Sequence, residues 1–142
     1  MKIRKSAFVF HSQEAIFNLV DDVESYPQFL PWCGSTDVHL RNEKTTEATI
    51  EINFKGIKQK FTTKNEKTAP DEMKIQLIKG PFKTLSGFWK FTKIDNMSCK
   101  VDLVLDYDFS NYLLEKFIGP VFNIIANSFI DEFIKEANHR YK

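Results

Sequence analysis

Three histidines, two cysteines and a row of aspartates are the side chains here with the most obvious chemistry. His11, His39 and His139 could each serve as a general base, but a base needs a partner within hydrogen-bond reach. None stands beside a serine or cysteine in a recognisable nucleophile setting. Cys33 and Cys99 belong to no CxxC or Cys/His spacing, so a zinc site is not expected. Asp102, Asp106 and Asp108 could suggest a metal, yet they alternate with Leu103, Leu105 and Tyr107. In a strand that places them on the face towards water. Gly80 and Gly87 are isolated, and neither opens a helix as a phosphate loop requires. The reading is therefore no catalytic residue, no metal and no cofactor.

What the sequence offers instead is binding chemistry. Val23-Glu24-Ser25-Tyr26-Pro27-Gln28-Phe29-Leu30-Pro31-Trp32-Cys33 packs three aromatics and two prolines into one short stretch. Proline fixes φ and donates no backbone hydrogen bond, so a regular helix or interior strand is not expected there. Most loops are polar and lie against water. An apolar one needs cover, either the domain's own core or the mouth of an apolar cavity. Tyr26, Trp32 and Tyr107 each carry a donor on an apolar body, which makes them candidate polar handles in such a cavity.

The chain's 142 residues suit one domain, read as 1–142. Its 14 phenylalanines supply material for a large core or for a core with a lined hollow. A net charge of +1 predicts no general attraction to DNA or to acidic membrane. Locally, Lys55, Lys58, Lys60, Lys64 and Lys67 cluster on a lysine-rich stretch. That is either a solvated strand face or a contact patch for an anionic partner, with Lys55, Lys58, Lys60 and Lys64 as the contact residues. Two lone cysteines read as reduced thiols, and the first apolar alternation begins at Ile3, so a cytoplasmic protein is expected. No apolar run approaches about 18 residues, so no membrane span is expected, although peripheral contact stays open.

These residues need elements to hold them. Phe8, Val9 and Phe10 mark a strand. Ser12 then caps a short helix carrying Ala15, Ile16, Leu19 and Val20, which should stop before Tyr26-Pro27. From Thr36 to Phe109 the period is two, with turns at Lys55-Gly56, Ala69-Pro70, Gly80-Pro81 and Asp95-Asn96. One antiparallel meander with a wet and a dry face results, and the dry face needs a cover. Residues 111–141 supply it, with apolar side chains from Leu114 to Tyr141 spaced mostly three and four apart. Pro120 should kink or restart this helix, and its end from Lys135 to Lys142 should fray.

That order resembles the START-like, helix-grip superfamily. Val23–Cys33 resembles the V-x-x-Y-P-x-F-L-P-W-C segment of the family of coenzyme Q-binding proteins and ribosome association toxins (RatA). Gly80–Phe91 is similar to its G-P-F-x-x-L-x-G-x-W-x-F, and Gly119–Phe133 to its last helix. The resemblance implies an α+β helix-grip fold, a curved antiparallel sheet of about seven strands around a long C-terminal helix, with two short helices after the first strand. It further implies a non-enzymatic protein with an apolar tunnel between sheet and helix. Members are associated with binding coenzyme Q (ubiquinone) and supporting respiration, or with binding the large ribosomal subunit and blocking subunit association.

On this reading the expected partner is a lipophilic molecule, foremost an isoprenoid quinone, with the large ribosomal subunit as the alternative. The expected cavity residues are Tyr26, Phe29, Pro31, Trp32, Ile52, Phe54, Phe61, Leu77 and Leu85. Trp89, Phe91, Leu105, Tyr107, Phe117, Val121, Phe122, Ile125 and Phe129 complete the set. From pattern alone the same aromatics could close-pack into a solid core.

Overall fold

In the computed structural model, residues 1–141 are described. Strand β1 (Lys2–Val9) leads into α1 (Gln13–Asp21), a 3-10 turn at Val23–Ser25 and the single turn α2 (Tyr26–Phe29). Strands β2 (Cys33–Arg41), β3 (Thr45–Phe54), β4 (Ile57–Thr68), β5 (Glu72–Lys79), β6 (Phe82–Asp95) and β7 (Ser98–Phe109) follow. Helix α3 (Tyr112–Arg140) ends the chain's regular structure. The seven strands form one antiparallel sheet in the order β1-β7-β6-β5-β4-β3-β2. Six of them are a plain meander, and only β1 is displaced, to the edge beside β7.

Local chemistry accounts for the boundaries. Lys55 and Gly56 take φ of 51° and 82°, the left-handed pair that a two-residue hairpin matched to strand twist requires. Ser12 caps α1 by accepting from the Ala15 amide at 3.1 Å, and Asn111 caps α3 by accepting from Leu114 at 3.0 Å. Gln13, buried at the start of α1, donates to the Phe91 carbonyl at 2.6 Å and to Asp71 at 2.8 Å. That one amide pins the first helix to the sheet.

Three expectations are corrected. Tyr26-Pro27 does not stay out of helix: Pro27 stands at the start of α2, where its missing N–H costs nothing. Helix α3 runs through Pro120 as a single element, without a restart. Its last turns do not fray, because Arg140 bonds Asp22 and Glu136, Asn138 meets His11 at 2.7 Å, and Tyr141 donates to the Ala15 carbonyl. Lys142 lies outside the described residues.

The dry face of the sheet carries Phe61, Met73, Leu85, Trp89, Phe91, Leu103, Leu105 and Tyr107, all buried. Helix α3 lays Ile118, Phe122, Ile125, Ala126, Ile130, Phe133 and Ala137 against them. By length and composition α3 could cross a bilayer, but this buried face marks it as the helix the sheet grips. Its outward pole changes character halfway. Leu113, Phe117 and Ile124 are exposed in the first half, whereas Asn127, Asp131 and Lys135 occupy it in the second.

Sheet geometry is tightest at Gly87, opposite Leu105 and Ile75. A Cβ there would lie 2.0 Å from the Val104 carbonyl oxygen, a backbone atom that no rotamer change can move. Gly87→Ala should therefore cost about 3 kcal/mol, at the upper end of overpacking penalties. Urea denaturation with unchanged m-value checks it, and a loss under about 1 kcal/mol would mean the strands part easily at this point.

Candidate functional site

The ground between sheet and α3 is filled mainly by aromatic rings. Phe122 lies 4.7 Å from Tyr107 and 4.9 Å from Phe82, centroid to centroid. Phe133 stands 5.2 Å from Trp89 and 5.3 Å from both Tyr26 and Phe29. Phe129 lies 5.2 Å from Trp32, and Phe91 stacks on Trp89 at 6.0 Å. Such edge and stacked pairs gain energy beyond their area and leave little space. Beneath these rings is a cavity of about 60 Å³, separate from a pocket of about 280 Å³ between β7 and α3 that Tyr107, Phe109, Gly119 and Pro120 line. The smaller cavity has room for a few waters, against roughly 300–1,000 Å³ for sites that enclose a drug-sized ligand.

Seven of the expected residues line this cavity: Tyr26, Phe61, Leu85, Trp89, Leu105, Phe122 and Phe129. The others are placed elsewhere. Phe91, Tyr107, Ile52, Ile125 and Trp32 are buried in the surrounding core, and Phe29, Phe54, Leu77 and Val121 are half-buried beside it. Pro31 is exposed. Phe117 is a correction: it is 64% exposed, on the pole of α3 turned away from the sheet. Helical spacing admits it equally to an inner or an outer stripe, and the register of α3 chooses the outer.

Five lining residues were missed: Ile50, Thr63, Asn65, Ile75 and Phe133. Thr63 and Asn65 matter most, since they are the non-aromatic polar groups of a wall that is otherwise aliphatic and aromatic. They sit on the inward row of β4, continuing Phe61 at a spacing of two. A search for apolar alternation passes over them because they are not apolar. The expected handles are engaged or displaced. Tyr26 donates to the Val20 carbonyl, and burial pushes its phenol far above the ordinary range. Tyr107 points its hydroxyl at the Met1 sulfur, and burial likewise raises its pKa. The Trp32 Nε1 is buried without a partner among the described residues, but Trp32 is not on the cavity wall.

Beyond the polar end of the row, Asp21 is held by Lys67 Nζ at 3.0 Å and Thr46 Oγ1 at 2.7 Å. Arg41 adds a bidentate grip on Glu24 at 2.5 and 2.7 Å and reaches the Asp21 carbonyl at 2.6 Å. The Arg41 hydrogen bond lowers the Glu24 carboxyl pKa. This network ties β2, β3 and β4 to α1 and the turn after it. On the opposite side of the cavity, β5 and β6 stop pairing at Gln76–Ser86. Past that point β5 pairs with β4 alone and β6 with β7 alone, leaving a seam next to Ile75 and Leu85.

The histidines lie away from the cavity wall. His39 meets Thr49 at 2.7 Å and His11 meets Asn138 at 2.7 Å, both on the surface, and His139 is exposed. Among the described residues no cluster of His, Cys, Asp and Glu could hold a metal. The lysines stand on the wet face, with Lys55, Lys58 and Lys60 exposed and Lys64 half-exposed. Glu51 faces Lys60 and Glu47 faces Lys64 across the strands, and Glu66 lies 4.0 Å from Lys64.

Comparison with known proteins adds four findings. Residues 9–134 match the family model for polyketide cyclase / dehydrase and lipid transport. The ribosome association toxin RatA of Vibrio cholerae is 37% identical over 140 residues, 99% of this chain and 97% of that protein. The mitochondrial coenzyme Q-binding protein coq10 of Schizosaccharomyces pombe is 25% identical, over 98% of this chain and 88% of that one. Among solved structures, the Zhui aromatase/cyclase from Streptomyces sp. R1128 superposes with a TM-score of 0.87 over 100% of this chain and 96% of that one. At 11% identity that likeness concerns the fold alone.

Burial pushes both thiols, Cys33 and Cys99, up to about 11 from 9.0. At pH 8 only about 0.1% of each would be thiolate, so native-state labelling by an aromatic disulfide reagent should run at least about a hundredfold slower than in urea. The unfolded chain releases these protons first, so stability should fall as pH rises from 9 to 11. Rapid native labelling of either cysteine would show an accessible thiolate that this packing does not permit.

Proposed function

This chain belongs to the polyketide cyclase / dehydrase and lipid transport family, and from that premise we propose that it is a non-enzymatic association protein of the RatA kind, binding the large ribosomal subunit and blocking subunit association. The observation that carries the reading is the 37% identity to a protein of that name along nearly the whole of both chains. The interior supports it by what it offers. A cavity of about 60 Å³ holds no histidine, no cysteine and no charged side chain, so neither turnover nor a large resident ligand is served by this shape. Lys55, Lys58, Lys60 and Lys64 are the contact we assign to ribosomal RNA, tempered by the glutamates beside them.

Sedimentation with separated ribosomal subunits tests this. The protein should travel with the large subunit and reduce the joined-ribosome peak. Contact through four lysines should give a log–log salt slope no steeper than about −4, since each neutralised phosphate adds at most about one. Reversing all four charges should abolish co-sedimentation. Absence of wild-type co-sedimentation at low salt would overturn the reading, and binding that survives both salt and charge reversal would move the contact elsewhere.

A second reading, binding of an isoprenoid quinone, is favoured by one observation: the cavity wall is aromatic yet keeps two polar side chains, Thr63 and Asn65. The likeness to a coenzyme Q-binding protein accords with it. A quinone ring exceeds the present cavity, so on this reading α3 rings such as Phe129 must swing aside on binding. Decylubiquinone should then quench Trp89 fluorescence saturably, and Trp89→Phe should remove most of the change while Trp32→Phe preserves it. An unsaturable response in the wild type would reject quinone binding.

A further inference from the structure

We infer that Thr63 and Asn65 form a head site, which makes the cavity selective for a neutral amphiphile whose buried end carries a hydrogen-bonding oxygen. The inference rests on the second reading above and specifies what that site accepts. Its first support is Asn65 Oδ1, buried against the cavity with no hydrogen-bond partner among the described residues. Buried polar atoms are nearly always paired, because an unpaired one keeps its desolvation cost and gains nothing. A leucine at this position would avoid that cost.

The surrounding structure does not use Asn65. The next inward residue along β4, Lys67, is committed to Asp21, and Thr46, paired with Asn65 across β3, donates to the same carboxylate. That network is complete without the carboxamide. Tyr26, also on the wall, gives its hydroxyl proton to the Val20 carbonyl. Thr63 and Asn65 thus carry no side-chain hydrogen bond to the described residues, and they stand two residues apart on one face of one strand.

Their chemistry sets the ligand class. A carboxamide offers both N–H donors and a carbonyl acceptor, and a hydroxyl offers either role, so the pair can meet a ketone, a quinone oxygen or an alcohol. The rest of the wall is aliphatic and aromatic, with no lysine, arginine or histidine to pair an anion and no carboxylate to pair an amine. A fatty-acid carboxylate or an alkylamine would bury an unpaired charge there. A hydrocarbon would offer Asn65 no partner. The seam where β5 and β6 part, beside Ile75 and Leu85, gives the apolar tail a way out while the head stays on β4.

The test titrates the full chain with three probes whose alkyl tails match to within one carbon: decylubiquinone, decylbenzene and decanoate. Wild type should bind decylubiquinone about tenfold or more tightly than decylbenzene, the worth of one good hydrogen bond, and decanoate weakest. Asn65→Leu should bring the first two within about twofold of each other. Its thermal midpoint should stay equal or rise, because an unpaired buried group has been removed. Thr63→Val, which keeps the side-chain shape, is the second variant and should lower the preference without unfolding the protein. Retained preference in both variants, or equal wild-type affinity for quinone and hydrocarbon, would overturn the head site and leave quinone binding standing. A drop of several degrees in the Asn65→Leu midpoint would also overturn it, by showing that the amide is structural. Saturable binding of none of the three would overturn both this inference and the quinone reading, leaving water as the partner of Asn65.

Discussion

A seven-stranded sheet is too wide for one helix to cover, and the rest of this structure follows from that mismatch. Seven strands at about 4.8 Å spacing span roughly 29 Å, whereas a helix with its side chains is about 10 Å across. The sheet must therefore curl, and whatever the curl leaves open must be filled by side chains reaching sideways. Phenylalanine suits that task, since each ring buries roughly 150–250 Å² from a single attachment point. Phe82 and Phe61 approach Phe122 from the sheet, while Tyr26, Phe29 and Trp32 approach Phe133 and Phe129 from the segment after α1. The apolar Tyr-Pro-x-Phe-Leu-Pro-Trp segment is thus part of the cover. It extends α3 sideways where the helix alone would leave the sheet wet.

The filling is also what keeps the cavity small. A hollow in a helix-grip fold is the space between curled sheet and helix minus the rings that occupy it. Here the rings win, to within about 60 Å³. An interior of this kind separates two ways of working. Function on the surface needs only a stable shape. Function inside needs the aromatic cluster to loosen, which costs packing energy that a bound ligand must replace. The tight aromatic filling suits the first, and Asn65 Oδ1, buried without a partner among the described residues, suits the second.

Much of the fold was legible because it rests on periodicity. The alternation from Ala48 to Phe109 and the three-four spacing after Asn111 report burial directly, and the Lys55-Gly56 turn follows from backbone sterics. Where the sequence misled, one local rule had two outcomes. Proline breaks a helix interior but starts a helix well, and Pro27 does the latter. An apolar residue on a long helix can face in or out. Phe117 and Phe122 are alike in type, yet one is 64% exposed and the other 2%. The charged end of α3 looked loose because its partners, Asp22, His11 and Ala15, are more than a hundred residues away in sequence.

The site was legible only in its apolar half. Aromatics announce themselves by rarity and spacing, whereas Thr63 and Asn65 are residues that a wet strand face would equally carry. Their meaning depends on which face β4 turns inward, and that is set by pairing rather than by β4 itself. Asn65 opposes Thr46 on β3 and Ile75 on β5, and the whole row turns towards α3 because Phe61 and Met73 must. Apolar burial thus drags a polar pair into the interior. Aliphatic residues there would remove the cost of the unpartnered Asn65 oxygen, and a hydrogen-bonding group in the cavity, solvent or ligand, would offset it.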